Sequence, residues 1–378
     1  MERLIKIKEK ESGLVLGLMS GTSLDGLDIA LVRLTGAGLS VQIRLEAFQT
    51  YDMPIDLKER IQSVFGLGNS QEICKLNQDL GAYNGDCCNL FLKDYGFTQS
   101  EIDLIGSHGQ TIYHVHGHSS LQISEAETLA YKTNTPVISN FRASDIAVGG
   151  SGAPLVPYLD QVLYGDMSEN RVLLNLGGIA NFTLLIGGDT ECAFDTGPCN
   201  GILNELAEVI SNGKQNYDKD GNLAKQGKVI VSLVNRWLEH PYFQQPAPKS
   251  TGREKFGKEW VAAAIADFPE HTLLDILRSA TSFVAKSIAL NIDKCSGGKG
   301  AVWASGGGIH NPVLWGDLQK LLGTRLSVLP VVGEVTADAK EAVAFALFAW
   351  EKIKGNPTNL PQVTGANKLV SMGQISLP

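Results

Sequence analysis

One pattern constrains this chain more than any other, and it occurs twice. The apolar run Leu14–Leu18 meets a turn rich in Gly, Ser and Asp, Gly21-Thr22-Ser23-Leu24-Asp25-Gly26, and a second apolar run, Asp28–Leu34, follows. Further on, Arg171–Asn175 meets Gly177-Gly178, and Ala180–Ile186 returns. Short apolar runs divided by glycine turns read as strand, turn, strand. A third strand is expected after each hairpin, near Val41–Phe48 and Cys192–Phe194. Buried strands are expected at 102–105, 136–139, 301–304 and 325–329. Helical patterns fall at 55–65 and 71–91, then at 200–212, 222–238, 258–266, 271–294, from Pro312, and at 339–352. The expectation is a duplicated α/β unit, each copy a mixed β-sheet flanked by helices. At 378 residues the chain exceeds one ordinary core. The boundaries expected are 1–155 for an N-terminal lobe and 156–378 for a C-terminal lobe.

Composition removes several classes of partner. The net charge is −8 and no strong basic run exists, so nucleic acid is not an expected partner. Met1–Ser12 is charged and lacks an apolar leader, and no apolar stretch reaches the ~20 residues that span a bilayer, so no membrane is expected. The six cysteines show no CxxC spacing and read as reduced thiols of a cytoplasmic protein.

The glycine turns carry the chemistry. In Gly21-Thr22-Ser23-Leu24-Asp25-Gly26-Leu27-Asp28, glycine lets backbone N–H groups converge on an anion and two hydroxyls add donors. Asp25 is placed to hold Mg2+ through water, since that ion keeps most of its hydration. The plainer reading is a polar hairpin turn. Gly177 and Gly178 repeat the logic, and two such turns opening two similar halves suit a polyphosphate gripped from both sides. Gly306, Gly307 and Gly308 follow a buried strand and permit close approach by a flat ring such as adenine, or form an ordinary strand-to-helix turn. No GxxxxGK[ST] string occurs: the nearest, Gly221–Lys228, has the wrong spacing. Asp195, in Phe194-Asp195-Thr196-Gly197-Pro198, stands just past a strand, where α/β proteins keep reactive groups. It is a general-base candidate; the alternative is a cap for the helix from Asn200. His114, His116 and His118 alternate, and a solvated edge strand explains them better than a metal site. Asp218-Lys219-Asp220-Gly221 lacks the Glu that an EF-hand loop requires.

These motifs resemble one family. GLMSGTSLDGLDIAL (17–31), SHGQT (107–111), NFRASDIAVGGSGAPLVP (140–157), NLGGIAN (175–181), FDTGPCN (194–200), DKDGNLA (218–224), PKSTGRE (248–254), GGGIHN (306–311) and KEAVAFA (340–346) run in order along nearly the whole chain. Together they are similar to the anhydro-N-acetylmuramic acid kinases of the actin–hexokinase–Hsp70 superfamily. The resemblance implies a two-lobed actin-like ATPase (ribonuclease H-like) fold with an interlobe active-site cleft. It implies ATP as substrate, Mg2+, and a homodimer. The implied reaction joins ATP, water and 1,6-anhydro-N-acetylmuramic acid to give ADP and N-acetylmuramic acid 6-phosphate, in peptidoglycan recycling. By the same resemblance Asp195 is the catalytic base, Gly21–Asp28 with Gly177 and Gly178 bind phosphates, and Gly306–Gly308 lie by the adenosine. His108, Arg142 and Glu341 fall in strings of the sugar pocket. Asn140 stands where the family pattern has Asp, and Cys199 where it has Gly. A simpler sugar kinase on the same fold is the main rival; an ATP-gated binding module is the other.

Overall fold

The computed structural model describes residues 2–22, 24–66, 68–247, 249–252 and 255–378. The chain divides into two compact units. One joins Met1–Leu163 to Val331–Pro378; the other is Tyr164–Pro330.

In the first unit, β1 (Ser12–Ser20), β2 (Gly26–Thr35) and β3 (Gln42–Asp52) form an antiparallel meander. Strand β4 (Leu104–Val115) lies parallel to β1 on its free side, with β5 (Ser119–Ile123) antiparallel to β4. Strand β6 (Val137–Ser139) runs parallel to β4, and Gln374–Ser376 closes that edge. In the second unit, β7 (Arg171–Leu176), β8 (Ile179–Ile186) and β9 (Asp189–Pro198) repeat the meander. Strand β10 (Ala301–Ser305) is parallel to β7, and β11 (Leu326–Val328) is parallel to β10. The orders β3-β2-β1-β4-β6 and β9-β8-β7-β10-β11 are the same walk in the same directions. The expected mixed α/β class and its duplicated sheets are borne out.

The central strands are apolar on both faces because both faces are covered. Period-two alternation sorts β1 cleanly. Leu14, Leu16 and Leu18 join a core with Cys88, Phe91 and Leu92 of the helix Ser70–Tyr95. Val15 joins Val343, Phe345 and Leu347 of the helix Lys340–Lys354 on the other face. Gly17 shares that second face, and a Cβ there would lie 1.8 Å from the carbonyl oxygen of Ala342. Gly106 of β4 has the same relation to the oxygen of Phe345, at 1.9 Å. Both glycines let the helix backbone lie against the sheet.

That helix explains why the expected boundary at 155/156 differs from the observed division. Its apolar face fits the first sheet, so Val331–Pro378 belongs with the N-terminal residues. Trp350 Nε1 donates to Gly36 O at 2.8 Å, and Glu351 Oε1 accepts from Gly38 N at 2.8 Å, pinning the β2–β3 turn. The helix expected over 222–238 is shorter, Val231–Leu238. Asp218 takes the N–H groups of Leu223 and Ala224, at 2.7 and 3.0 Å, and holds the residues before it as turns.

Candidate functional site

The candidate residues form two groups, one in each unit. In the second unit, Asp195 lies near the end of β9, where the ladder slips: Ala180 pairs Gly197, but Asn181 pairs Asp195. Thr196 is the extra residue, a bulge of the kind that re-aims a neighbouring side chain. The Thr196 hydroxyl donates to Ala180 O at 3.1 Å and Gly197 adopts φ +144. Tyr242, Lys249 and Thr251 then hold residue 195, the first two by its main chain and the third by its carboxylate. Asp195 N donates to Lys249 O (3.1 Å), Tyr242 Oη donates to Asp195 O (2.6 Å), and Thr251 N donates to Asp195 Oδ2 (2.9 Å). The capping alternative fails: the helix Asn200–Ile210 has Cys199 as its cap residue, with no side-chain cap bond. Cys199 is buried and its thiol is pushed up to about 12 by desolvation, which makes it inert.

Gly177 and Gly178 form the β7–β8 turn. Their carbonyls accept from the first N–H groups of the next helix: Asn200 N to Gly177 O, and Cys199 N and Gly201 N to Gly178 O, all at 3.0 Å. The carbonyl side of the turn is therefore committed to the fold. Among the three glycines after β10, two serve packing. A Cβ on Gly306 (φ +83) would meet Asn175 Oδ1 at 2.6 Å, and one on Gly308 would meet Leu176 Cβ at 2.6 Å. Gly307 differs, since its nearest neighbour is Asn200 Nδ2 at 3.9 Å. It opens onto a cavity of ≈ 420 Å³ lined also by Asn204, Tyr217 and His310. The described part of the 248–254 string omits Pro248, Arg253 and Glu254.

In the first unit the β1–β2 turn divides by role. Ser23 lies outside the described residues. Leu24, at φ +58, packs with Met53, Leu57 and Ile61, and Leu27 packs with Ile29; any contact these two make to a ligand is through backbone. A Cβ on Gly26 would meet Tyr51 O at 2.6 Å, so this glycine admits β3. Gly21 O accepts from Leu24 N at 3.2 Å, while Thr22 and Asp25 are exposed. Asp28 accepts from Thr50 Oγ1 at 2.6 Å. Burial raises its carboxyl pKa, the Thr50 bond opposes, and Asp338 and Asp25 add to the rise. No group of His, Cys, Asp or Glu among the described residues makes a protein cage for a metal, His114, His116 and His118 included. The exposed Asp25 beside this acidic crowding fits a hydrated cation, whose charge would relieve it.

His108, Arg142 and Glu341 converge. His108 is 4% exposed on β4. Its Nδ1 lies 2.8 Å from Gly109 O, and its Nε2 faces Arg142 Nε and Nη2 at 3.2 and 3.0 Å. The arginine can only donate, so His108 is the neutral tautomer that donates from Nδ1 and accepts at Nε2. Burial first, then the Arg142 charge, pulls its pKa down to about 3. Arg142 Nη1 also donates to Gly152 O at 2.7 Å, so three of its five N–H groups are engaged. Desolvation lowers its pKa while Glu341 opposes. Glu341, in the first turn of Lys340–Lys354, has its pKa raised by desolvation, with Arg142 opposing. Its surface is nonetheless exposed, so a ligand can reach it.

The neutral His108 has a testable consequence. The unfolded imidazole takes a proton near pH 6.5 and the folded one does not until about 3. The folded state therefore loses stability as pH falls through 6.5 toward 3, by ~2 kcal/mol between pH 7 and 5. Urea midpoints of wild type and His108→Gln over that range should show a shallower acid loss in the variant.

Sequence reasoning missed Asp145. It is fully buried, accepting from Gly152 N (2.8 Å), Asn359 Nδ2 (3.0 Å) and Thr364 Oγ1 (2.8 Å). It fixes the 149–152 loop whose Gly152 carbonyl holds Arg142. Its signal was the acidic residue just ahead of Gly149-Gly150-Ser151-Gly152, read there only as part of a string. Asn140, the departure nearby, sits at φ 53 and ψ 45, a left-handed conformation that Asn and Asp share.

The profile of the anhydro-N-acetylmuramic acid kinase family matches residues 13–378. Anhydro-N-acetylmuramic acid kinases of Bacillus cereus (strain AH820) and Bacillus anthracis are each 40% identical, covering 96% of this chain and 99% of theirs. Among solved structures, the activator of 2-hydroxyisocaproyl-CoA dehydratase from Clostridium difficile with bound ADPNP is 13% identical with TM-score 0.42, covering 90% of this chain and 96% of that one. The ROK hexokinase from Thermus thermophilus is 14% identical with TM-score 0.34, covering 91% and 98%. Those two likenesses are too loose to carry an argument. The sequence relatives are not: this chain belongs to the anhydro-N-acetylmuramic acid kinase family.

Proposed function

We propose that this kinase uses ATP to phosphorylate O6 of 1,6-anhydro-N-acetylmuramic acid while water opens the anhydro ring, giving N-acetylmuramic acid 6-phosphate and ADP. The observation that carries the reading is the family match across residues 13–378. Asp195, re-aimed by its bulge, is the base in this scheme. It takes a proton from water as the water oxygen bonds to the anomeric carbon. The C1–O6 bond breaks, its electron pair moves to O6, and O6 attacks the γ-phosphorus as the bond to ADP breaks. The proton on Asp195 is then released. A glycosidase needs a second carboxyl to protonate the leaving oxygen; here the phosphoryl group captures it.

Backbone N–H groups of Gly21–Asp28 and of Gly177 and Gly178 would meet the phosphates, and the cavity at Gly307 would take the nucleoside, beside Gly306 and Gly308. Mg2+, held through water at Asp25, would offset charge on the transferred group. Arg142 has two N–H groups left for the lactyl carboxylate, and His108 and Glu341 would border the sugar. We place the reaction in the cytoplasm, in recycling of cell-wall amino sugars, by a homodimer. Arg142→Lys should raise KM for the sugar ~10–100-fold with a smaller change in kcat, since a fork to a carboxylate is lost; steady-state kinetics check this.

The direct test is incubation with MgATP and 1,6-anhydro-N-acetylmuramic acid in oxygen-18 water, read by mass spectrometry. Heavy oxygen at C1 of a 6-phosphosugar is expected. A phosphorylated sugar with its anhydro ring intact would overturn the coupled scheme in favour of simple phosphorylation.

A further inference from the structure

Thr251 is tied to the Asp195 carboxylate by its backbone, yet its side chain is unused. Its N–H donates to Asp195 Oδ2 at 2.9 Å. Its Oγ1 is buried and finds no hydrogen-bond partner among the described residues. A buried hydroxyl left unpaired costs about 1–3 kcal/mol, so such a group in a native fold calls for an explanation. A threonine outside helix and strand can bond a neighbouring backbone group; this one bonds none among the described residues.

Its placement is not that of a loose loop. Lys249 Nζ donates to Tyr242 O at 3.3 Å and lies over the rings of Tyr242, Phe194 and Phe243, at 4.8, 5.9 and 6.0 Å. Cation–π contacts of this kind anchor a chain. Lys249 O in turn accepts from Asp195 N at 3.1 Å. The anchor, the hydroxyl and the carboxylate are thus linked, since the hydroxyl and the amide nitrogen that donates to Asp195 Oδ2 belong to the same residue.

We propose that the Thr251 hydroxyl acquires its missing partner in the substrate complex, where it hydrogen-bonds the oxygen nucleophile that Asp195 deprotonates. A hydroxyl both donates and accepts. It can accept a hydrogen bond from one O–H of the nucleophilic water, leaving the other O–H directed at Asp195 and a lone pair free for the anomeric carbon. The inference rests on Asp195 being the base. It adds a second group that fixes the direction of attack, a matter of orientation as much as charge.

Two variants separate this role from packing. Thr251→Val keeps the shape and the backbone N–H and removes the hydroxyl; Thr251→Ser keeps the hydroxyl and removes the methyl. Val should lower kcat for 1,6-anhydro-N-acetylmuramic acid ~10–100-fold, as loss of one hydrogen bond that orients the nucleophile. KM for ATP should be unchanged, and the melting temperature unchanged or higher. Ser should stay within ~3-fold of wild type, a small fraction of that loss. Val with wild-type kcat, Ser as impaired as Val, or a lower melting temperature in Val would each overturn the proposal. Asp195→Asn run in parallel keeps the two readings apart. If it is inactive while Val is unaffected, only the Thr251 role falls; if it is fully active, the base assignment falls first.

Discussion

Asp195→Asn should bind nucleotide normally and lose ring opening and phosphoryl transfer together, by ~10²–10⁴-fold, the usual contribution of a general base. The substitution is nearly isosteric. Its amide oxygen can still accept from Thr251 N, and the backbone bonds to Lys249 and Tyr242 do not involve the side chain. The local fold therefore survives, and what disappears is proton affinity. Calorimetry with a nonhydrolysable ATP analogue reports binding; mass spectrometry of the sugar reports both chemical steps. Loss of both to the same extent is the expected result, because both follow from the water attack that this proton transfer accompanies. A variant that opened the anhydro ring at wild-type speed would remove Asp195 from the mechanism.

Gly17→Val should destabilise the first unit by ~3 kcal/mol or more. Overpacking a core typically costs 1–3 kcal/mol when side chains can shift. Here the obstacle is backbone: a Cβ would lie 1.8 Å from Ala342 O, 2.8 Å from Ala342 C and 2.9 Å from Ala346 N. The helix Lys340–Lys354 must move off the sheet, taking Glu341 with it. Differential scanning should show a melting temperature lower by ~6–12 °C for a loss of this size. Sugar turnover should fall as well, through displacement of Glu341. Gly316→Ala is the control, since nothing lies within 4 Å of a Cβ there and Ala favours a helix by about 1 kcal/mol over Gly. A Gly17→Val protein melting within ~1 °C of wild type would refute the packing account.

Both hairpins were legible because their signal is local: a run of apolar residues stops at glycines and resumes. The same holds for the long helices Ser70–Tyr95 and Leu273–Ser296, whose apolar periodicity is self-contained. The allegiance of Lys340–Lys354 was not legible. Its apolar run states that it is buried nearly all round, not which sheet covers it, and the glycines at 13, 17 and 106, which admit it, carry that answer. Among candidate site residues, Asp195 was expected just past a strand, whereas β9 runs on through it to Pro198. Asp145 and Thr251 act through partners distant in sequence, Asn359 and Thr364 for one and the carboxylate of residue 195 for the other. A glycine triplet also conceals a division of labour, since Gly306 and Gly308 fit Asn175 and Leu176 while Gly307 alone faces open space.

The return of Val331–Pro378 to the first sheet has a consequence for synthesis on the ribosome. At ~5–20 residues per second, the sheet's Val15 face waits on the order of ten to forty seconds before its helix emerges. Meanwhile Tyr164–Pro330, which is continuous in sequence, can complete its own core. The N-terminal part of this chain thus becomes stable after the middle, and the nascent polypeptide carries a partly covered apolar face until the helix Lys340–Lys354 emerges. A chain stalled before residue 340 should pair a protease-resistant middle with a start that aggregates or engages chaperones.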